Sequence, residues 1–165
     1  MLTPDLIDPV AFAREERLIK NKLLISSLDG RLSKHEFLAD AEGECDFCLQ
    51  GGKDKLQRYF LALTVKANLS LICQRCLDVV PFHIDETSRI ILFFNEQKLD
   101  EAMEQDPDLE GILVEPEISI QTLIEDQLIM ALPLAPKHED CGNPSLDQIN
   151  QDKPNPFAVL ANLKN

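Results

Sequence analysis

The feature that most constrains the fold is a long alternation of apolar and polar residues that begins at Tyr59 and ends at Cys73. Every second residue in this stretch is apolar, and the intervening positions from 64 to 70 are mostly polar. Successive side chains on a β-strand point to opposite faces, so the pattern predicts a strand with one buried and one solvated face. A second strand is predicted from Val80 to Phe94. The turn between them, from Cys73 to Asp78, makes the pair a hairpin.

Helix signals lie on both sides of this hairpin. Asp8 suits an N-cap and Pro9 suits the first helical turn, so we expect a helix there whose apolar face extends to Ile19. Ser119 is expected to cap a second helix that runs to about Ala131, where prolines end it. The predicted apolar stripe of this second helix comprises Ile120, Leu123, Ile124 and Leu128.

The remaining segments predict short strands and loops. Residues 20–27 and 44–49 are expected to form strands, and Gln50-Gly51-Gly52 is expected to break the second of them. Residues 99–105 predict a short helix within an acidic loop, and residues 112–114 predict a short strand.

Together these elements predict an α+β domain over residues 1–136. We expect a mainly antiparallel sheet, curled towards a barrel and built on the long hairpin, with a few helices packed on it. Residues 137–165 are expected to form a flexible linker and a short C-terminal helix. That helix would begin at Asn155-Pro156 and carry Phe157 and Leu160 on its apolar face.

Charge is distributed unevenly along the chain. The net charge is −13, which gives no general attraction to nucleic acid, because such affinity comes largely from Lys and Arg beside phosphates. Residues 95–126 carry eleven carboxylates and one lysine, a net charge of −10. Residues 1–66 carry ten basic and eleven acidic side chains. The acidity is therefore concentrated in one stretch, and the N-terminal part is nearly neutral.

Membrane and export signals are not found in the sequence. No apolar run approaches the roughly 20 residues that a transmembrane helix needs, and the N-terminus lacks the basic and apolar regions of a secretory signal. We therefore expect a cytoplasmic protein with no membrane partner and no small-molecule substrate. The five cysteines agree with a reducing compartment, where Cys-x-x-Cys spacing indicates metal or redox chemistry.

Cys73 and Cys76 lie in the turn of the predicted hairpin, where two thiolates at this spacing can bind one metal ion. A closed tetrahedral site needs two further ligands, and His138 and Cys141 are the best remaining pair. The four residues together predict a Cys3His zinc site. In the alternative interpretation, Cys73 is a small buried hydrophobe, Cys76 is a free thiol, and the other two residues are incidental.

A second Cys-x-x-Cys pair, Cys45 and Cys48, falls in a predicted strand. Residues three apart on a strand face opposite ways, so we expect Cys45 in the core and Cys48 on the other face, with no shared metal. A redox role for Cys73 and Cys76 is disfavoured, because no helix N-terminus follows their turn to lower a thiol pKa.

The acidic and histidine side chains predict no active site. Glu125 and Asp126 are adjacent on a helix, so their side chains diverge by about 100° and are expected on a solvated face. The three histidines are isolated from one another, and no Ser-His-Asp or Cys-His arrangement stands out. We therefore expect no enzymatic activity.

Three segments resemble the motifs of a known bacterial family. Leu71-Ile72-Cys73-Gln74-Arg75-Cys76 is similar to its cysteine turn, and the segment from Leu123 to Pro133 is similar to its Ala-Leu-Pro helix. Lys153 to Leu160, which contains Pro-Asn-Pro-Phe, resembles its C-terminal signature. Because their order and the total length also match, the chain is identified as a member of the large-ribosomal-RNA-subunit accumulation (YceD) family. Gln127 departs from the glutamate that is usual at its position.

The resemblance implies a non-enzymatic role in the accumulation or processing of 23S ribosomal RNA and in large-subunit assembly. In one hypothesis the protein contacts that RNA directly. The candidate contact residues are Arg14, Arg17, Lys20, Lys22, Arg58, Lys66, Arg89 and Arg75, the last at the tip of the turn. In a second hypothesis, the acidic residues 95–126 bind or chaperone a basic ribosomal protein, and Phe157 and Leu160 dock on a partner. The net charge favours protein contacts, and a thiol redox protein using Cys73 and Cys76 is the third possibility.

Overall fold

The structure is a computed structural model and describes residues 5–141. Its regular elements in this range are seven strands and three α-helices. In chain order they are β1 (Leu6–Ile7), α1 (Pro9–Arg14), β2 (Leu18–Leu24), β3 (Glu44–Lys53), β4 (Tyr59–Ile72), β5 (Val79–Phe93), α2 (Glu96–Gln105), β6 (Glu110–Leu113), β7 (Ile118–Ser119) and α3 (Ile120–Ala131). The predicted α+β class is confirmed.

The predicted hairpin is confirmed and forms the centre of the main sheet. β4 and β5 pair antiparallel along their length, and the strand order is β2-β3-β4-β5-β6. All neighbouring strands are antiparallel except β5 and β6. The predicted curling towards a barrel is not observed. β2 pairs only with β3 and the four-residue β6 pairs only with β5, so no ladder among the described residues joins the two edges.

One face of this sheet carries the main core. Alternate residues of β4 from Leu61 to Leu71 are buried, as the sequence pattern predicts. α1 packs on β3 and β4, and α3 packs on β4 and β5. Phe12 of α1 and Ile124 of α3 have no exposed surface. The apolar sides of the helices therefore close the same face of the sheet that the alternation marks as buried.

Both predicted helix caps are confirmed. Oδ1 of Asp8 accepts hydrogen bonds from the backbone N–H groups of Val10 and Ala11, both at 2.9 Å. Oγ of Ser119 accepts from the N–H of Thr122 at 3.1 Å. β1 pairs with β7, which ties the N-terminal segment to the start of α3.

The expected strand break at the glycine pair is wrong, because β3 continues through Gly51 and Gly52 to Lys53. A Cβ added at Gly51 would lie 2.5 Å from the carbonyl oxygen of Phe12, and one added at Gly52 would lie 2.6 Å from the ring of Phe60. Gly51 allows α1 to approach the strand closely, and Gly52 does the same for the ring of Phe60. The two glycines therefore indicate close packing against β3 and do not indicate the end of the strand.

The first helix is shorter than predicted. It ends at Arg14, and Glu16 then adopts a φ of 50°, which turns the chain into β2. Ile19, which was expected on the helix face, therefore lies on a strand. The predicted strand at 20–27 is shifted towards the N-terminus, because a short 3₁₀ helix occupies Ile25–Ser27.

The acidic segment after β5 is more regular than predicted. α2 begins at Glu96 because the side chain of Asn95 caps it by accepting from the backbone N–H of Lys98. α2 packs on β5 and β6, on the face opposite the main core, where Ile91 and Phe93 are buried. It covers one end of that face. β6 begins two residues before the predicted strand.

Candidate metal centre

The turn between β4 and β5 is tight and presents two thiols. The backbone N–H of Cys73 donates to the carbonyl of Asp78, and the N–H of Leu77 donates to the carbonyl of Cys73, both at 2.9 Å. Leu77 has a φ of 65°, in the left-handed region that favours glycine. This backbone reversal brings the sulfur of Cys76 close to that of Cys73.

The segment that follows α3 returns to this turn. The backbone N–H of Gln74 donates to the carbonyl oxygen of Pro136 at 2.8 Å. Nε2 of His138 lies 3.0 Å from the carbonyl oxygen of Val79. These two bonds fix residues 136–138 against the hairpin. The predicted linker after residue 141 lies outside the described residues.

Four candidate ligand atoms converge at this turn. Sγ of Cys73 lies 3.4 Å from Sγ of Cys141, and Sγ of Cys76 lies 3.3 Å from Nδ1 of His138. All four atoms lie within 4.8 Å of one another. Adjacent ligand atoms of a tetrahedral zinc site with bonds of about 2.0–2.3 Å are about 3.3–3.8 Å apart. The structure thus brings together the Cys3His set that the sequence spacing predicts, in a geometry suited to one ion.

The orientation of His138 suits a metal ligand. A carbonyl oxygen can only accept, so Nε2 of His138 carries the proton that it donates to Val79. Nδ1 is then the unprotonated nitrogen in the neutral ring, and it faces Cys76. A metal-binding histidine commonly fixes its tautomer in this way, with the second nitrogen bonded to a carbonyl.

The surroundings of Cys73 favour its thiolate. Burial alone would raise the pKa of this thiol, but the backbone N–H groups of Cys76, Arg75 and His138, together with the Cys141 side chain, outweigh burial and lower the pKa to about 5. The expectation that no thiol at this turn has a lowered pKa is therefore wrong. N–H groups of the turn stabilise the thiolate of Cys73, as the N–H groups of a helix N-terminus do in other proteins.

The other two shifted groups respond to the same cluster. The pKa of His138 is raised, chiefly by the neighbouring Cys73 side chain and then by the carbonyl oxygen of Val79. The backbone N–H of Asp78 lowers the pKa of Cys76, but burial and the neighbouring thiols outweigh it and the pKa is raised. The neighbouring thiols therefore disfavour the thiolate form of Cys76. A bound cation would favour it, because metal ligands must be deprotonated.

The second cysteine pair is arranged as expected. Cys45 is fully buried in the main core, and burial raises the pKa of its thiol to about 11. Cys48 is half-buried on the opposite face of β3. The two sulfurs therefore serve no common site.

Arg75 is exposed at the tip of the turn, and its backbone N–H donates to Sγ of Cys73 at 3.4 Å. Arg58 is elsewhere, in the β3–β4 turn, where its Nε donates to Asp54 at 2.8 Å. Arg17 of the N-terminal set lies over the ring of Phe12. The structure does not gather these predicted contact residues into one surface. The predicted contacts Phe157 and Leu160 lie outside the described residues.

The face of the sheet opposite the main core is called the open face. Four other predicted contact residues lie on it, namely Lys20, Lys22, Lys66 and Arg89. Carboxylates on neighbouring strands pair with two of them. Lys22 lies 3.3 Å from Asp46, and Lys66 lies 2.8 Å from Asp85. Arg89 stacks over the ring of Phe60 at 4.3 Å. The face is therefore a ladder of mixed charge rather than a basic patch.

The prediction that Glu125 lies on a solvated helix face is wrong. Glu125 has no exposed surface, and its carboxylate accepts from the backbone N–H of Leu32 at 2.8 Å and from Nε of Arg31 at 3.0 Å. Asp126 is half-exposed and accepts from Nη1 of Arg31 at 2.6 Å. The loop before β3 folds over α3 and covers this position. The one available sequence signal was that residue 125 borders the apolar stripe next to Ile124.

The fold and the converging side chains define an α+β protein with a candidate Cys3His metal centre. Residues 61–164 match the family model of the large ribosomal RNA subunit accumulation protein YceD, which is more than half of the chain. The chain therefore belongs to the YceD family, as the sequence motifs predict.

A relative from Haemophilus influenzae, named large ribosomal RNA subunit accumulation protein YceD, is 47% identical over 57 residues. That alignment covers 29% of this chain and 33% of the relative. No solved structure matches the chain. Among the described residues, no helix has the length and apolar character needed to cross a membrane.

Proposed function

We propose that this protein supports the accumulation of large-subunit ribosomal RNA as a non-enzymatic assembly factor in the cytoplasm. The observation that carries this proposal is the family match over residues 61–164, with the name of the Haemophilus relative in agreement. Ribosomal RNA or a large-subunit ribosomal protein is the corresponding partner. The convergence of four candidate ligands supports a structural rather than a catalytic use of the thiols.

Deletion of the gene in its native host tests this function. We expect the ratio of 23S to 16S ribosomal RNA and the amount of free large subunits to fall, as measured by RNA quantification and sucrose gradients. Expression of the wild-type protein should restore both. An unchanged ratio in the deletion strain during rapid growth would contradict the proposal.

We further propose that the cluster of Cys73, Cys76, His138 and Cys141 holds a structural zinc ion. Three sulfurs and one imidazole are ligands that zinc prefers, and the buried position of Cys73 suits a closed site without an open coordination position. Zinc would join the segment after α3 to the hairpin. Binding of this kind contributes directly to folding, since the unfolded chain has no preformed site.

Metal analysis of protein purified without chelators tests the zinc proposal. Wild-type protein should contain stoichiometric zinc, and Cys76→Ser and His138→Ala should lose most of it. Cys48→Ser is the matched control, because this thiol lies on the open face away from the cluster. A wild-type protein that contains no metal and whose thermal midpoint does not change with chelator would refute zinc binding.

The acidic surface supports a second candidate function, the binding of a basic ribosomal protein. α2 has no buried residue, and no described residue forms an ion pair with its carboxylates. Its exposed carboxylates are Glu96, Asp100, Glu101 and Glu104. Unpaired charge of one sign accelerates association with a partner of the opposite sign.

Native co-purification followed by RNase separates this candidate from direct RNA contact. Ribosomal proteins should remain bound after RNase, and Glu101→Gln with Glu104→Gln should weaken that binding. Glu86→Gln, at an exposed carboxylate of β5, is the control. Loss of every ribosomal protein upon RNase treatment would exclude this second candidate.

The lowered pKa of Cys73 also agrees with a thiol redox protein. The Cys73 side chain is buried, however, whereas reactive cysteines are partly exposed so that a substrate disulfide can reach the sulfur. Disulfide reductase activity of the purified protein that disappears in Cys73→Ser would overturn the non-enzymatic proposal.

A further inference from the structure

A pocket of about 250 Å³ lies at the end of the hairpin remote from the cysteine turn. It is formed where β4 begins, where β5 ends and where α2 starts. Arg58, Tyr59, Phe94 and Lys98 are among its lining residues. Its volume is below the roughly 300–1,000 Å³ of sites for drug-sized ligands, so it suits one flat ring system rather than a whole cofactor.

Phe94 gives this pocket an unusual exposed ring. It is 68% exposed, whereas the two preceding residues, Leu92 and Phe93, are buried. The ring of Tyr59, also in the lining, has the ammonium group of Lys53 over it at 5.2 Å. Aromatic rings that remain accessible beside cations are the usual stacking platforms for the bases of single-stranded nucleic acid.

The pocket lining carries two cationic side chains, Arg58 and Lys98, and no carboxylate, although the protein as a whole is acidic. The turn from Lys53 to Arg58 contains three basic residues and one carboxylate, Asp54. Nε of Arg58 donates to Asp54, and its other guanidinium nitrogens donate to no residue between 5 and 141. Lys98 is the single basic residue of the acidic stretch, and its ammonium forms no ion pair with a described residue. On the open sheet face, by contrast, neighbouring carboxylates pair with Lys22 and Lys66.

We infer that this pocket binds one nucleotide of single-stranded RNA, with the base stacked on Phe94 and the phosphate beside Arg58 and Lys98. The inference builds on the proposed role in ribosomal RNA accumulation and names a contact surface for it. Stacking on a ring accepts any base, because every base has a π-face. Binding is therefore local, tolerant of sequence and dependent on salt, since the rest of the acidic surface repels the RNA backbone.

Fluorescence anisotropy with the full-length protein and a labelled single-stranded RNA of about 12 nucleotides tests the inference. Phe94→Leu retains apolar bulk but removes the ring, and it should weaken binding by about tenfold or more. Lys98→Gln should weaken binding several-fold and reduce the slope of log affinity against log salt by about one. Both side chains are exposed, so the variants should keep the wild-type thermal midpoint.

Matched controls are available on the same molecule. Met103→Ala removes an exposed apolar side chain of α2, and Lys34→Gln removes an exposed lysine of the loop before β3, so neither should change RNA affinity measurably. Wild-type protein that does not bind the RNA, or Phe94→Leu protein that binds it normally, would overturn the inference. So would a loss of RNA affinity in Lys34→Gln equal to that in Lys98→Gln, which would indicate diffuse electrostatic attraction.

Two further outcomes separate this inference from the proposed function. If the deletion strain has reduced 23S RNA and Phe94→Leu rescues it fully, the proposed function stands and the pocket inference fails. If the pocket variants bind RNA normally but lose a ribosomal protein that co-purifies after RNase treatment, the pocket is a protein contact and the inference is again wrong.

Discussion

The buried carboxylate of Glu125 offers the sharpest test of the structure, because the sequence suggested a solvated side chain. Its two oxygens bond with the backbone N–H of Leu32 and with Nε of Arg31, and neither Glu125 nor Leu32 has exposed surface. The carboxylate therefore joins the loop before β3 to α3. Without it, the Leu32 N–H has no acceptor.

The expected loss follows from these contacts. In Glu125→Ala, a buried backbone donor left without an acceptor costs about 1–3 kcal/mol. The lost burial of one methylene adds about 0.8 kcal/mol, and the carboxylate's own dehydration in the fold offsets part of the total. We expect a decrease of about 1–3 kcal/mol in the free energy of unfolding, which is a sizeable part of the roughly 5–15 kcal/mol of a typical protein. Glu125→Gln retains an oxygen for Leu32 and should lose only about 0.5–1.5 kcal/mol.

Urea unfolding followed by circular dichroism measures these differences. Glu117→Ala, at an exposed carboxylate, is the control and should change stability by less than about 0.5 kcal/mol. Equal stability of Glu125→Ala and Glu117→Ala would refute the buried bond. A Gln variant as unstable as the Ala variant would show that charge, rather than the bond to Leu32, is the main contribution.

Three further predictions concern the backbone and pH. Leu77→Gly should stabilise the protein by about 0.5–1 kcal/mol relative to Leu77→Ala. The left-handed conformation costs residues other than glycine about 1–2 kcal/mol, and the greater chain entropy that glycine loses on folding offsets part of this difference. Equal thermal midpoints of the two variants would contradict the turn geometry. Gly51→Ala should destabilise by about 1–3 kcal/mol, because its Cβ would meet backbone atoms of α1, whereas Gln50→Ala next to it should be tolerated in the same assay. Burial alone would raise the pKa of Asp54, but the backbone N–H and guanidinium of Arg58 outweigh burial and lower it. The Asp54 carboxylate thus contributes to stability when the pH is above its ordinary pKa of 3.8, and this contribution is lost as the pH falls through the lower pKa of the folded state. The urea midpoints of wild type and Asp54→Asn should therefore differ at neutral pH and converge in acid.

The candidate site was predictable to the extent that ligand chemistry is carried by residue type and spacing. Cys73 and Cys76 at a hairpin turn identify half of a zinc site from sequence alone. The approach of His138 and Cys141 depends on the chain returning after α3, which no local pattern encodes. The lowered pKa of Cys73 is not predictable from sequence for a related reason: it comes from N–H groups oriented by the turn, and residue identities do not reveal that orientation.

Elements whose residue pattern is repeated over many positions were predictable from the sequence alone. The alternation over Tyr59–Ile72 fixed a strand and its buried face, because a one-residue shift would have placed every apolar side chain in water. The caps at Asp8 and Ser119 were local chemistry and were equally visible. The continuation of β3 through its two glycines was not predictable, because Gly51 is required by the close packing of α1 against the strand and not by a local turn. The tertiary structure alone decided that Glu125 is buried, because the loop that covers this carboxylate lies 93 residues away in the chain.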